Sequence, residues 1–117
     1  DVPPPGKGQK NPAAYGTYPR LLGRYSRDVQ LFTLEEAIRR STSFPAERVG
    51  LGGVGRIAPG HWGDLVLFDP ETVADNTTLE RPDATPSGIR YVFISGHMVI
   101  KDGQLVATER HGRIYRK

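Results

Sequence analysis

At 117 residues, 37% hydrophobic and 25% charged, the chain has the size and composition of one globular unit or of a piece of a larger one, which excludes a disordered or fibrous polypeptide. The absence of cysteine excludes disulfide frameworks, thiolate zinc sites and thiol nucleophiles, and no run approaches the roughly 18 apolar residues of a membrane-crossing helix. The net charge of +3 is confined to a tail in which Arg110, Arg113, Arg116 and Lys117 stand against Glu109; without an aromatic stacking pattern beside it, such a tail reads as solvated and not as a nucleic acid interface.

Residues 1–16 hold Pro3, Pro4, Pro5, Pro12, Gly6, Gly8 and Gly16 and almost nothing to bury, so they are expected to form a loop or a lid over another surface. Because the chain opens on Asp1 and not on Met, the natural start is expected to lie upstream; the expected location is cytoplasmic. Leu21, Leu22, Tyr25 and Val29 recur at helical spacing, predicting a helix over residues 18–28 with Pro19 in its first turn. Thr33-Leu34-Glu35-Glu36 has the form of a capping box, in which the Thr hydroxyl takes the Glu36 amide and the Glu carboxylate reaches back. The helix it starts is expected to bury Leu34, Ala37 and Ile38, with Phe44 on the same face. Ser43-Phe44-Pro45-Ala46-Glu47 then restarts a short helix that ends at Gly50 in the left-handed cap position.

The second half changes period. Asp64-Leu65-Val66-Leu67-Phe68-Asp69 is a nearly continuous apolar run closed by Pro70, which predicts a strand buried on both faces. Residues 71–88 read as a long polar connection. Residues 89–94 form a second strand, Ser95-Gly96 a two-residue turn, and residues 97–100 an antiparallel return. Asp102-Gly103 makes another such turn before a last short strand over residues 104–107. A small meander of this kind has no means of covering both faces of an apolar strand, and the helical half offers one amphipathic stripe, not two. The chain is therefore expected to pack against more polypeptide, either an upstream part of the same protein or a second copy exchanging strands.

Several segments together resemble a known family. They are Tyr15-Gly16-Thr17-Tyr18-Pro19-Arg20-Leu21-Leu22-Gly23, Thr33 through Arg40, Ser43-Phe44-Pro45-Ala46, Ala58-Pro59-Gly60, Gly63 through Pro70, Val73-Ala74-Asp75 and Ile94-Ser95-Gly96. The set is similar to the C-terminal end of N-acyl-D-amino-acid deacylases, a branch of the amidohydrolase superfamily. The Gly-Thr-aromatic-Pro-Arg segment and the Asp-Pro-x-x-Val-x-Asp connection are the parts most specific to that branch. The resemblance implies an α+β fragment: residues 1–50 would be the terminal loop and closing helices of a catalytic (β/α)8 barrel, and residues 55–117 the C-terminal strands of a small β-sandwich. It also implies hydrolysis of an N-acyl, D-amino-acid-like amide bond in the intact enzyme, with a zinc ion that polarises the carbonyl and acidifies water.

What the resemblance implies for single residues is narrower. Asp1 corresponds to the family's proton-transferring carboxylate after the last barrel strand, although Val2 replaces the glycine that follows it. The family's His-Pro-Arg run reads Asn11-Pro12-Ala13, so the arginine that grips a substrate carboxylate is missing unless Lys7, Lys10 or Arg20 replaces it. The three histidines, His61, His97 and His111, lie far apart in sequence and are expected to be surface or structural residues, so no zinc is expected in this chain alone. Arg20 is expected to sit on a helix surface or in a salt bridge, and Trp62 to pack over the sandwich edge. Gly52, Gly53 and Gly55 read as turn residues, and Ser41, Thr42 and Ser43 lack a His/Asp partner for nucleophilic catalysis. The partner implied is the missing N-terminal part of the same enzyme. The alternative is a free-standing scaffold module that dimerises by strand exchange.

Overall fold

The structure, a computed structural model, describes residues 11–115. Helices occupy the first half and an antiparallel sheet the second. Helix α1 spans Pro12–Arg20, well before the predicted start. Asn11 is its N-cap, the side-chain oxygen accepting the Ala13 amide at 3.0 Å. Pro12 follows at a first-turn position, where its missing N–H costs nothing. That start signal was hidden among prolines and glycines because residues 12–16 carry no apolar period. Pro19 lies inside the helix, not in its first turn, and has no N–H to give the ladder. Directly after it, Leu21–Asp28 continues as a π-helix. Its wider spacing shows at the end, where the Val29 amide donates to Arg24 O at 2.9 Å.

The buried face of this long element differs from the one predicted. Gly16, Pro19, Gly23 and Ser26 are buried, whereas Tyr25 and Val29 are exposed. A row of small residues faces the rest of the chain, with Gly16 against the Asp75 carboxylate and Gly23 against the Val73 carbonyl.

Helix α2, Leu34–Ser41, begins as predicted, the Thr33 hydroxyl accepting the Glu36 amide at 3.3 Å. The return half of the box is not made. Glu36 instead binds Arg39 through two hydrogen bonds of 2.7 and 3.0 Å and Arg40 through one of 2.7 Å, and these hydrogen bonds lower its carboxyl to about 2. Removing the cap by Thr33→Ala should cost about 1 kcal/mol, read as a shift in the urea midpoint at unchanged slope. Of the predicted apolar stripe only Ala37 is fully buried; Ile38 and Phe44 are exposed. Helix α3, Ser43–Arg48, closes the helical half, and Gly50 follows at φ 71°.

The sheet has four strands in the order β1-β2-β3-β4, all antiparallel: Leu65–Phe68, Ile89–Ile94, His97–Lys101 and Gln104–Leu105. Leu65 stands opposite Phe93, Val66 opposite Val92 and Leu67 opposite Tyr91. Both hairpin turns have positive φ at both central residues, 53° and 79° at Ser95-Gly96 and 48° and 76° at Asp102-Gly103, the geometry that matches strand twist. The last strand stops at Leu105, short of the predicted residue 107. The connection over residues 71–88 is not featureless: Val73 is completely buried, and Ala74 and Ser87 form an isolated bridge.

The prediction of a doubly buried first strand fails within this chain. Leu65, Val66 and Leu67 are 40%, 55% and 57% exposed. They occupy an edge strand whose two faces meet no second layer. The buried hydrophobic residues of the core among those described are Ala37, Ala46, Val73, Ala84 and Val99, all small side chains. The accessible surface is 8857 Å², against about 6,300 Å² for a compact monomer of 12.9 kDa. No helix among the described residues is long and apolar enough to cross a membrane.

Candidate functional site

The two sequence segments that are most distinctive meet each other in space. Arg20 Nε donates to Asp75 Oδ2 at 2.6 Å, and the Asp75 side chain is only 5% exposed. Gly16 lies against that carboxylate: a Cβ there would come within 2.1 Å of Asp75 Oδ1. Two turns further on, a Cβ at Gly23 would come within 2.3 Å of Val73 O. The same carbonyl accepts Arg27 Nη1 at 2.8 Å, and Pro70 O accepts it at 3.1 Å. Gly16, Arg20, Gly23 and Arg27 therefore form one row along α1 and its π continuation: Gly16 and Arg20 meet the Asp75 carboxylate, Gly23 admits the Val73 carbonyl, and Arg27 grips the carbonyls of Pro70 and Val73.

Burial pushes the Asp75 carboxyl up, but hydrogen bonding by Thr77 and by the Arg20 guanidinium outweighs it, and the net shift is downward. The Thr77 amide donates to Asp75 Oδ1 at 2.8 Å. Arg20 is raised from its ordinary value, chiefly by its hydrogen bond to Asp75. The pair is thus held charged and fully engaged, which suits a joint between two parts of a structure and leaves no proton to exchange with a substrate. At Arg27, the far end of the row, lies an open cleft of about 560 Å³ lined by Leu22, Arg27, Phe32, Thr33, Pro70 and Glu71. Arg27 is already committed to Val73, Pro70 and Asp28, so the cleft holds no free acid–base pair.

The other predicted residues are placed as follows. Asp1, Lys7 and Lys10 lie outside the described residues. Ala13 sits exposed in the first turn of α1, and Arg20 is engaged by Asp75. His61 Nδ1 lies 3.1 Å from Arg56 O. His97 and His111, distant in sequence, stack face to face with centroids 4.2 Å apart and planes inclined by 11°. Among the described residues no group of three or more His, Asp or Glu side chains could hold a metal ion. Trp62 receives Arg113 on its face, Cζ standing 3.3 Å from the ring centroid. The tail predicted to be solvated is therefore anchored at Arg113, whose side chain is 20% exposed.

The sequence profile of the amidohydrolase family matches residues 9–107. The chain belongs to the amidohydrolase family. Within the family it is 42% identical over 104 residues to a D-aminoacylase of Alcaligenes xylosoxydans xylosoxydans, a match that covers 89% of this chain and 21% of that protein. It is 39% identical over 113 residues to an N-acyl-D-glutamate deacylase of the same organism, covering 97% of this chain and 23% of that one. Among solved structures it superposes with a TM-score of 0.85 at 40% identity on N-acyl-D-glutamate deacylase from Bordetella bronchiseptica complexed with zinc and a phosphonate inhibitor, over 92% of this chain and 22% of that one. A D-aminoacylase variant complexed with copper chloride gives a TM-score of 0.87 at 41% identity, with the same coverages. This amidohydrolase segment thus spans about a fifth of the length of the relatives it matches.

The Gly–Arg row was missed in the sequence because attention to apolar periodicity passes over a stripe of small and basic residues. Its signal was present as glycine and arginine alternating at intervals of four, three and four.

Proposed function

We propose that this amidohydrolase chain is the C-terminal segment of a metal-dependent hydrolase of N-acyl, D-amino-acid-like amides, and that it performs no hydrolysis alone. The observation that carries the reading is the open strand Leu65–Phe68, apolar on both faces and covered on neither, in a chain that spans a fifth of its relatives. In this reading residues 1–50 are the terminal loop and closing helices of a (β/α)8 barrel, and residues 55–117 the C-terminal strands of a β-sandwich. The remaining four-fifths of the enzyme supplies the missing cover.

Asp1 would serve as the proton-transferring carboxylate of the complete enzyme. Among the described residues the zinc of the Bordetella relative has no counterpart set of ligands. His97 and His111 turn ring faces, not nitrogen lone pairs, toward each other, and His61 is turned to a backbone carbonyl. The ligands then belong to the portion of the enzyme outside this chain. With Ala13 in place of the carboxylate-gripping arginine, the substrate carboxylate falls to Lys7 or Lys10, or the substrate is an amide without one.

The chain is expected to give no turnover of N-acetyl-D-amino acids with added zinc. Adding it to a D-aminoacylase truncated to lack the matching fifth should restore hydrolysis. Turnover by the isolated chain, or a truncated relative that binds the chain and stays inert, would sink the reading. The free edge of β1 also templates a second copy of the chain, and sedimentation at several concentrations separates that arrangement from capture by the truncated enzyme.

A further inference from the structure

We propose that the stacked His97 and His111 form an acid-releasable clasp that holds residues 109–115 over the Trp62 end of the sheet at neutral pH and frees them on acidification. His97 opens β3 directly after the Ser95-Gly96 turn, while His111 lies in the segment beyond β4. Their rings are 4.2 Å apart and nearly parallel, an arrangement that two neutral imidazoles, or one neutral and one protonated, tolerate by stacking. Two protonated rings at that distance repel. Imidazole is the side chain that ordinarily changes charge between about pH 5 and 8.

The surroundings reinforce this. Ser95 Oγ donates to His111 O at 3.0 Å and accepts Arg113 Nη2 at 2.6 Å. Asp64, entering β1, accepts the Ser95 amide at 2.6 Å and lies 3.4 Å from Arg113 Nη2. Arg113 lies between Trp62 and Tyr115, 3.3 and 5.8 Å from their ring centroids. Glu109 and Arg110, just before His111, are exposed and offset each other. Asp64 and Arg113 are thus paired at this end, beside the exposed Glu109 and Arg110, and His61 adjoins Trp62 with its Nδ1 3.1 Å from Arg56 O. Protonating both histidines adds two positive charges where Asp64 is already engaged by Arg113. The segment then separates from β3, carrying Arg113 off the indole.

Trp62 is the single tryptophan of the chain and reports the event directly. Its emission should shift between about pH 8 and about pH 5 while far-ultraviolet circular dichroism stays constant. His97→Gln and His111→Gln should each abolish the shift, and Arg113→Gln should show the acid-form emission already at pH 8. The proposal is overturned if wild-type emission is unchanged across the range, if both His→Gln variants keep the transition, or if the dichroism collapses along with the emission.

Discussion

Gly88→Ala is expected to remove the cooperative unfolding transition of the chain, the largest effect of any single methyl group added to it. Gly88 has φ 75°, and a Cβ there would lie 2.4 Å from both the Cα and the N of Val73. The left-handed backbone costs an L-residue about 1–2 kcal/mol by itself. The overlap is with backbone atoms of a residue that has no exposed surface, so no rotamer change relieves it. Together the two effects amount to about 3 kcal/mol or more, which is severe for a fold whose buried apolar residues are mostly alanine and valine. The comparison is between urea profiles followed by circular dichroism. A variant that unfolds with the wild-type midpoint would show that residues 73 and 88 do not meet as described.

Asp75→Asn is expected to cost about 2 kcal/mol at neutral pH, the scale of a charge-assisted hydrogen bond in a sheltered position. Its pH dependence is more diagnostic than its size. The folded Asp75 carboxyl titrates below its ordinary value, so the stability it contributes is fully present above the unfolded value of about 4. That contribution is lost as pH falls through the still lower folded value. The gap between wild type and variant should therefore be constant from neutral pH down to about 4 and shrink below it. Urea midpoints measured from pH 7 to pH 2 check this, with Arg20→Gln as the second variant. A gap that stays constant into strong acid would mean that the Asp75 charge is not what holds α1 to the connection.

Local chemistry explains which elements were legible. Ser95-Gly96 and Asp102-Gly103 place residues that tolerate positive φ between β-branched and apolar runs, and both became the turns expected of them. Thr33 capped α2 and Gly50 followed α3 at positive φ because each acts on amides or carbonyls within four residues. The misreadings came from residues with competing partners. Glu36 had a backbone amide to return to and took Arg39 and Arg40 instead, where two guanidinium groups outbid one N–H. The stripe Leu21, Leu22, Tyr25 and Val29 assumed 3.6 residues per turn, and the π spacing after Pro19 turned small residues inward in its place. The branch-specific segments around Gly16 and Asp75 were legible as signatures long before their purpose was, since their meaning lies in contact with each other across 55 positions of sequence.

By itself the sequence determined the order of helices and strands, the two hairpin turns, the family and the expectation that an apolar strand would lack cover. Those properties depend on neighbours a few residues apart, or on the balance of apolar side chains against available surface. Tertiary structure alone decided that glycines and arginines along α1 and its π continuation seat the Asp75 carboxylate and the carbonyls of Pro70 and Val73, and that two distant histidines stack. Those depend on distances between residues far apart in the chain, and a hydrogen bond or a close backbone approach is made or lost within a few tenths of an ångström.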